Sequence, residues 1–200
     1  MTMPSKERRD DGQGDAAMER YARGDDGAFE QLYDAVAARL LAYLRRHVRD
    51  SDRCRDLLQE TFLHIHRSRG TFLPGAAVMP WAFAIARRLV VDEARRASRA
   101  LPLADLSDPL LSDFAEMASH DDRAVEEGEL VRAFLRELAR LPESQRTAFE
   151  LLKQEGLSIA EAAQVLGVTT TAVKLRAHRA YVALRAALGV DSHRLTEATT

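Results

Sequence analysis

Lys174, Arg176, His178 and Arg179 follow closely on Thr170 and Thr171 near the C-terminal end of this chain. Their ammonium, guanidinium, imidazole and hydroxyl groups donate hydrogen bonds to base edges or pair with phosphate, so the chemistry on offer is noncovalent recognition of nucleic acid. On a helix turning by about 100° per residue, Val173, Ala177, Ala180, Tyr181, Leu184 and Leu188 share one face, which is expected to be buried. Lys174, His178 and Arg185 flank that face, while Arg176 and Arg179 lie on the far side. Thr170, Thr171, Lys174 and His178 are the expected groove-facing residues, with Arg176 and Arg179 as phosphate clamps. Leu175 points outward and could meet either a thymine methyl or the phosphate wall.

A helix must hold that row in place, and another must brace it. Ile159, Ala162, Ala163 and Leu166 have the apolar spacing of a short helix. Gly167 then offers a turn that tolerates positive φ, and Thr169 or Thr170 can cap the helix that follows. Two helices joined so tightly are the signature of a DNA-reading helix-turn-helix. Residues 156–188 carry four Lys or Arg against one acid, Glu161, a formal +3 in a chain of net charge −2. A solvated amphipathic hairpin of an ordinary helical protein is the other reading of the same pattern.

The 200 residues suffice for two small helical domains, and the wealth of Ala, Leu, Arg and Glu predicts an all-α fold. The single cysteine, Cys54, fits a reducing cytoplasm and lies on an apolar helical face. The start of the chain is polar and unlike a signal peptide, and no apolar run is long enough for a membrane span, so a cytoplasmic protein without membrane insertion is expected. Enzyme chemistry finds little support. His64 and His66 diverge by about 200° on a helix and cannot share a metal unaided, Cys54 lacks a histidine partner, and no phosphate-binding loop occurs. Neither metal nor cofactor is expected.

Helices are predicted over residues 26–48, 52–67 (capped by Asp52) and 81–96, with a break around Pro74, Gly75 and Pro80. Residues 102–129 hold nine acids against one base, Arg123, a formal −8 that favours an extended connection. Attraction could bring this acidic stretch near the basic surfaces. Helix resumes over 126–140 and 144–154. The division expected is a flexible tail (1–20), a helical domain (21–100), a flexible acidic linker (101–125), a second helical domain (126–189) and a C-terminal tail (190–200).

Within 52–67, Cys54, Leu58, Thr61, Phe62 and Ile65 form the inward stripe, opposite Arg55, Asp56, Gln59, Leu63 and His66. Leu63 is an apolar side chain on a polar face. It is either an ordinary exposed leucine or a small apolar contact rimmed by Asp56, Gln59 and Glu60. In residues 81–99, Trp81, Ala82, Ile85 and Leu89 are expected to pack inward, and Asp92 to serve as an internal tether. Arg87, Arg88, Arg95, Arg96 and Arg99 outweigh Asp92 and Glu93 to give a formal +3 surface. Phe72 and Trp81 stand beside it. Aromatic rings next to arginines suit single-stranded nucleic acid, whereas core packing is the plainer role, and the better one for Trp81.

The order Gly24-Asp25-Asp26-Gly27-Ala28-Phe29, then Asp56-Leu57-Leu58-Gln59-Glu60-Thr61-Phe62, then Trp81-Ala82-Phe83-Ala84-Ile85-Ala86-Arg87-Arg88 resembles region 2 of an extracytoplasmic-function sigma factor of bacterial RNA polymerase. Leu141-Pro142-Glu143-Ser144-Gln145-Arg146, Leu166-Gly167-Val168 and Ala172-Val173-Lys174-Leu175-Arg176-Ala177-His178-Arg179 resemble region 4. The resemblance implies that Asp56, Gln59, Glu60 and Leu63 grip the clamp of the largest subunit of core RNA polymerase, which turns Leu63 toward the interface reading. It implies that residues 71–81 and the helix after them, with Phe72, Trp81, Arg87, Arg88, Arg95 and Arg96, open and hold the −10 promoter DNA. Region 4 would read the −35 element beside the flap of the second-largest subunit, through Thr170, Thr171, Lys174, Leu175, Arg176, His178 and Arg179. An anti-sigma factor, membrane-bound or soluble, is the usual partner of the family, and stress or another signal its usual trigger.

The chain departs from the family pattern at Leu175, often Ser, at Ala177, commonly Leu, and around residues 72–80, which lack the arginine of relatives with Asp-Pro-Ala-Arg-Pro-Phe. A stand-alone helix-turn-helix repressor and a polymerase-binding module that reads no promoter are the rival classes. Run-off transcription with purified core polymerase separates the three.

Overall fold

The computed structural model describes residues 7–100 and 122–188, and within them the chain is helical. It divides into two compact units, Met1–Asp105 and Leu106–Thr200. The first holds α1 (Glu7–Ala22), α2 (Ala28–His47), α3 (Ser51–Ser68) and α4 (Val78–Ala100), with a 3-10 turn at Arg69–Thr71. Leu32, Val36, Leu40, Tyr43 and Leu44 of α2 line the core, as their three-four spacing predicts. They meet Leu57, Leu58, Phe62 and Ile65 of α3 and Ala82, Phe83 and Ala86 of α4.

Four expectations need correction here. Residues 7–22 are a packed helix rather than part of a flexible 1–20 tail: Ala17, Met18 and Tyr21 are buried as α1 lies on α2 and α4. Gly14 permits this approach, because a Cβ there would come within 3.3 Å of both Ala35 Cβ and Val78 Cγ1. The cap of α3 is Asp50, whose Oδ1 accepts from the backbone N–H of Asp52 (2.8 Å) and of Arg53 (3.2 Å), so Asp52 is already helical. The fourth helix begins at Val78, not Trp81, since Pro80 sits in the first turn, where a missing N–H breaks no bond. Its buried stripe runs through Val78, Met79, Ala82, Phe83 and Ala86, at three-four spacing, so Trp81, Ile85 and Leu89 beside that stripe are only half-buried.

The second unit holds α5 (Asp122–Arg140), α6 (Glu143–Lys153), α7 (Ile159–Leu166) and α8 (Thr170–Ala187). The turn between α7 and α8 is fixed by local chemistry at three points. Ser158 Oγ accepts from Glu161 N (3.2 Å) while the Glu161 carboxylate accepts from Ser158 N (2.7 Å), a reciprocal cap on α7. Gly167 ends that helix at φ 63°, and Val168 N closes back on Ala163 O at 3.1 Å. Thr169 Oγ1 then accepts from Ala172 N at 3.2 Å to start α8. Ser158→Ala is expected to destabilise the second unit by about 1 kcal/mol, read as a lower urea midpoint with unchanged slope.

Val173, Ala180 and Leu184 form the buried stripe of α8, with Ala177 and Leu188 half-buried. Tyr181 is corrected: 51% of its surface is exposed, because it lies about 100° around the helix from Ala180, to the side of the Val173, Ala180 and Leu184 line. Residues 122–125, expected in the flexible acidic linker, instead form the first turn of α5; the linker's residues 101–121 lie outside the described residues, and so do residues 189–200.

Candidate nucleic-acid interface

Thr171, Lys174, Leu175, His178 and Arg179 are exposed on α8 away from Val173, Ala180 and Leu184, and Thr170 is exposed in its first turn; Arg176, expected on the far side, is instead half-buried, because it lies only about 60° around the helix from Val173. Thr170, Thr171, Lys174 and His178 recur at intervals that keep them on one side of the helix. Hydroxyl, ammonium and imidazole donors are thus carried on a helix that α6 and α7 pin from behind.

On α3 the outward row is also present. Gln59 and Asp56 are exposed, and Leu63 exposes 45% of its surface while its neighbour Phe62 exposes 5%. Phe62 is held by aromatic contacts, its ring centroid 4.7 Å from that of Tyr33 and 5.9 Å from that of Phe29. The acids of this face are not simply solvated. Arg53 reaches Glu60 Oε1 at 3.1 Å, Glu93 Oε2 at 2.8 Å and Asp56 Oδ2 at 3.8 Å, tying α3 to α4. The Arg53 guanidinium holds the Glu93 carboxyl below its usual range against the opposing effect of burial. Sequence reasoning missed Arg53. Its i,i+3 spacing from Asp56 was legible as a helical ion pair, but the reach to Glu93 was not.

Asp92, expected as the internal tether, is instead partly exposed and pairs only loosely with Arg95 at 3.8 Å; the tether is its neighbour Glu93. Arg88, Arg95 and Arg96 are exposed along α4, Arg87 is half-buried, and Arg96 meets Glu93 at 3.6 Å. Pairs of this exposed kind contribute little and yield readily to a phosphate.

Between α3 and α4 the chain makes a tight turn. Leu73 O accepts from Ala76 N at 3.0 Å, Pro74 occupies the second position and Gly75 the third, at φ 76°. Of the two roles open to Phe72, base stacking and core packing, the structure has it packed: it exposes 7% of its surface, with its ring 5.3 Å from that of Trp81. The side chain the turn offers outward is Leu73, 72% exposed. Between α1 and α3, Tyr21 Oη and Arg69 Nη1 both meet His66 Nδ1, at 2.5 and 2.7 Å, so that nitrogen is the accepting one. Arg69 also lies over the Tyr21 ring, 4.9 Å from its centroid.

Residues of catalytic type have structural roles or stand apart. The Cys54 thiol donates to Val48 O at 3.2 Å, and burial pushes its pKa up, away from thiolate chemistry. His64 is exposed and His66 is engaged with Tyr21. Among the described residues there is no cluster able to hold a metal ion, and no helix long and apolar enough to cross a membrane.

Residues 32–100 match the family described as Sigma-70 region 2, and residues 132–184 match Sigma-70, region 4. The chain is 37% identical to the RNA polymerase sigma factor CarQ of Myxococcus xanthus over 172 residues, 86% of this chain and 95% of that protein. It is 35% identical to the ECF RNA polymerase sigma factor SigM of Mycobacterium tuberculosis over 169 residues, 84% of this chain and 81% of that one. The chain belongs to the extracytoplasmic-function sigma factors. As a sigma factor it directs RNA polymerase to specific promoters and is not itself an enzyme. The fold agrees with a solved family structure, the sigma factor RpoE of Bartonella quintana in complex with the anti-sigma factor NepR, at TM-score 0.62 and 24% identity, covering 82% of this chain and 98% of that one.

Proposed function

We propose that the two units of this sigma factor divide the promoter between them. Residues 126–189 read the −35 element through α8. Residues 21–100, completed by α1, engage core RNA polymerase through Asp56, Gln59, Glu60 and Leu63 and open the −10 element. There the turn at 73–76 and the arginines of α4, Arg87, Arg88, Arg95 and Arg96, hold the separated strand. Phe72 and Trp81 brace that turn from within. The observation that supports this reading most is the row of exposed donors on α8, set on a rigid turn and opposite a fully buried stripe.

Within that row, Thr170, Thr171, Lys174 and His178 face the bases, Leu175 lies at the groove wall, and Arg176 and Arg179 hold phosphates. Lys174→Ala is expected to remove about 1–3 kcal/mol of discrimination and to change which −35 sequence is preferred. Arg176→Ala should weaken all sequences alike and lower the salt slope by about 1. Run-off transcription with purified core polymerase over a panel of −35 variants, paired with footprinting, checks both. A change of base preference with Arg176→Ala and none with Lys174→Ala would overturn the assignment. Failure of the chain to make core polymerase initiate at any promoter would remove the larger reading.

A second partner is an anti-sigma factor. The solved RpoE of Bartonella quintana is bound to one, and this chain shares its fold. Such a protein would hold the chain inactive until a stress or other signal releases it.

A further inference from the structure

The turn proposed to hold the −10 strand is fastened from a distance. Glu19 Oε1 accepts from the backbone N–H of Gly75 at 2.7 Å, and Asp15 Oδ1 accepts from that of Val78 at 2.7 Å. Both carboxylates come from α1, one helical turn apart and so on the same face. Val78 is the first residue of α4, and its N–H has no partner within the helix. Asp15 therefore caps α4 from 63 residues away, doing what a local Asn or Ser would ordinarily do. Gly75 is the positive-φ residue of the turn, and its N–H points away from the turn's own closing bond, which runs from Ala76 N to Leu73 O. With its amides held on one side, the turn presents Leu73 on the other. The absent side chain at Gly14 brings α1 near enough for both bonds, since a Cβ there would press on Val78.

We infer that Asp15 and Glu19 are positioning residues for −10 recognition, a carboxylate clamp that fixes the turn at 73–76 in the conformation that meets the unpaired strand. The inference rests on the proposed role of that turn. Two acids so close to a DNA path would otherwise repel it. Here each is occupied by backbone N–H groups, and Glu19 is further neutralised by Arg23 at 3.1 Å. A turn left loose would have to be ordered on each binding event, which lowers both affinity and discrimination.

The test uses the full chain with core polymerase on promoters carrying each −10 base change, as duplex and as a pre-opened bubble. Asp15→Ala combined with Glu19→Ala should flatten the ratio between the best and worst −10 sequences by about fivefold or more. Preference at −35 should stay as it is. Asp15→Asn with Glu19→Gln keeps a side-chain acceptor at each site and should retain most of the ratio. A ratio unchanged in the alanine pair, or lost equally in both pairs, overturns the inference. Should the alanine pair unfold, Glu19→Ala alone, which removes a partly exposed side chain outside the core, is expected to flatten the ratio and to speed hydrogen exchange at Gly75. Normal exchange or an unchanged ratio there overturns the inference too. Leu73→Ala separates the two levels. If it leaves −10 preference untouched, the turn is not the reading element and the underlying proposal fails. If it changes preference while the clamp variants do not, only the clamp fails.

Discussion

Phe62→Ala should destabilise the first unit by about 3–5 kcal/mol, while Leu63→Ala, one residue further on, should leave stability within about 0.5 kcal/mol and weaken binding to core RNA polymerase. The contrast follows from helix geometry. Phe62 is buried against Phe29 and Tyr33, so truncation opens a cavity and removes two aromatic contacts. Leu63 lies outward beside Gln59, with nothing behind it to collapse. Thermal or urea unfolding reads the first effect and a binding titration with core polymerase the second. Adding Gln59→Glu to Leu63→Ala should deepen the binding loss. Undiminished affinity in that double variant removes this face from the polymerase interface.

Arg53→Ala should cost about 2 kcal/mol at neutral pH, because it leaves Glu60 and Glu93 without the cation that links α3 to α4. The loss should depend on pH with a definite sign. Glu93 has its pKa lowered in the folded chain, first by the hydrogen bond from Arg53. Its contribution is therefore complete above the usual glutamate range and disappears as pH falls through the lowered folded value. The gap between wild type and Arg53→Ala should be widest near neutrality and close in acid. Glu93→Gln should show the same closing trend with a smaller gap, since Glu60 still holds Arg53. A gap that is constant with pH would mean that packing of the arginine stem, not the ion pair, is what matters.

Much of this arrangement was legible from residue order. The buried stripe of α3, the turn at Gly167 and the cap at Thr169 obey local rules, in which each residue's role is set by neighbours within a turn or two. What escaped was non-local. α1 was hidden because its first half carries Arg, Asp and two glycines, so Ala17, Met18 and Tyr21 read as a stray cluster until α2 and α4 are there to receive them. Asp92 was misplaced, and Phe72 left open between two roles, for a related reason. The inward face of α4 runs through Ala82, Phe83 and Ala86 rather than Trp81, Ile85 and Leu89, which puts Glu93 rather than Asp92 opposite Arg53, and Phe72 packs against Trp81. In the candidate site, the α8 row could be listed by residue because a single helix sets its facing. The turn at 73–76 could not, because a helix more than fifty residues earlier shapes it.

The close approach at Gly14 also sets the unit in which this protein can be exchanged with its relatives. The match to Sigma-70 region 2 begins at residue 32, past the whole of α1, yet Gly14, Ala17, Met18 and Tyr21 fill the surface that Ala35, Val78 and their neighbours would otherwise expose. A chimera joined at residue 32 would place a foreign first helix on a surface shaped for a glycine, and any side chain there would press on Val78 at the start of the next interface. Recombination in this family should therefore be productive when the segment from α1 to α4 travels as one block, and a joint inside it should be repaired by restoring glycine at the contact.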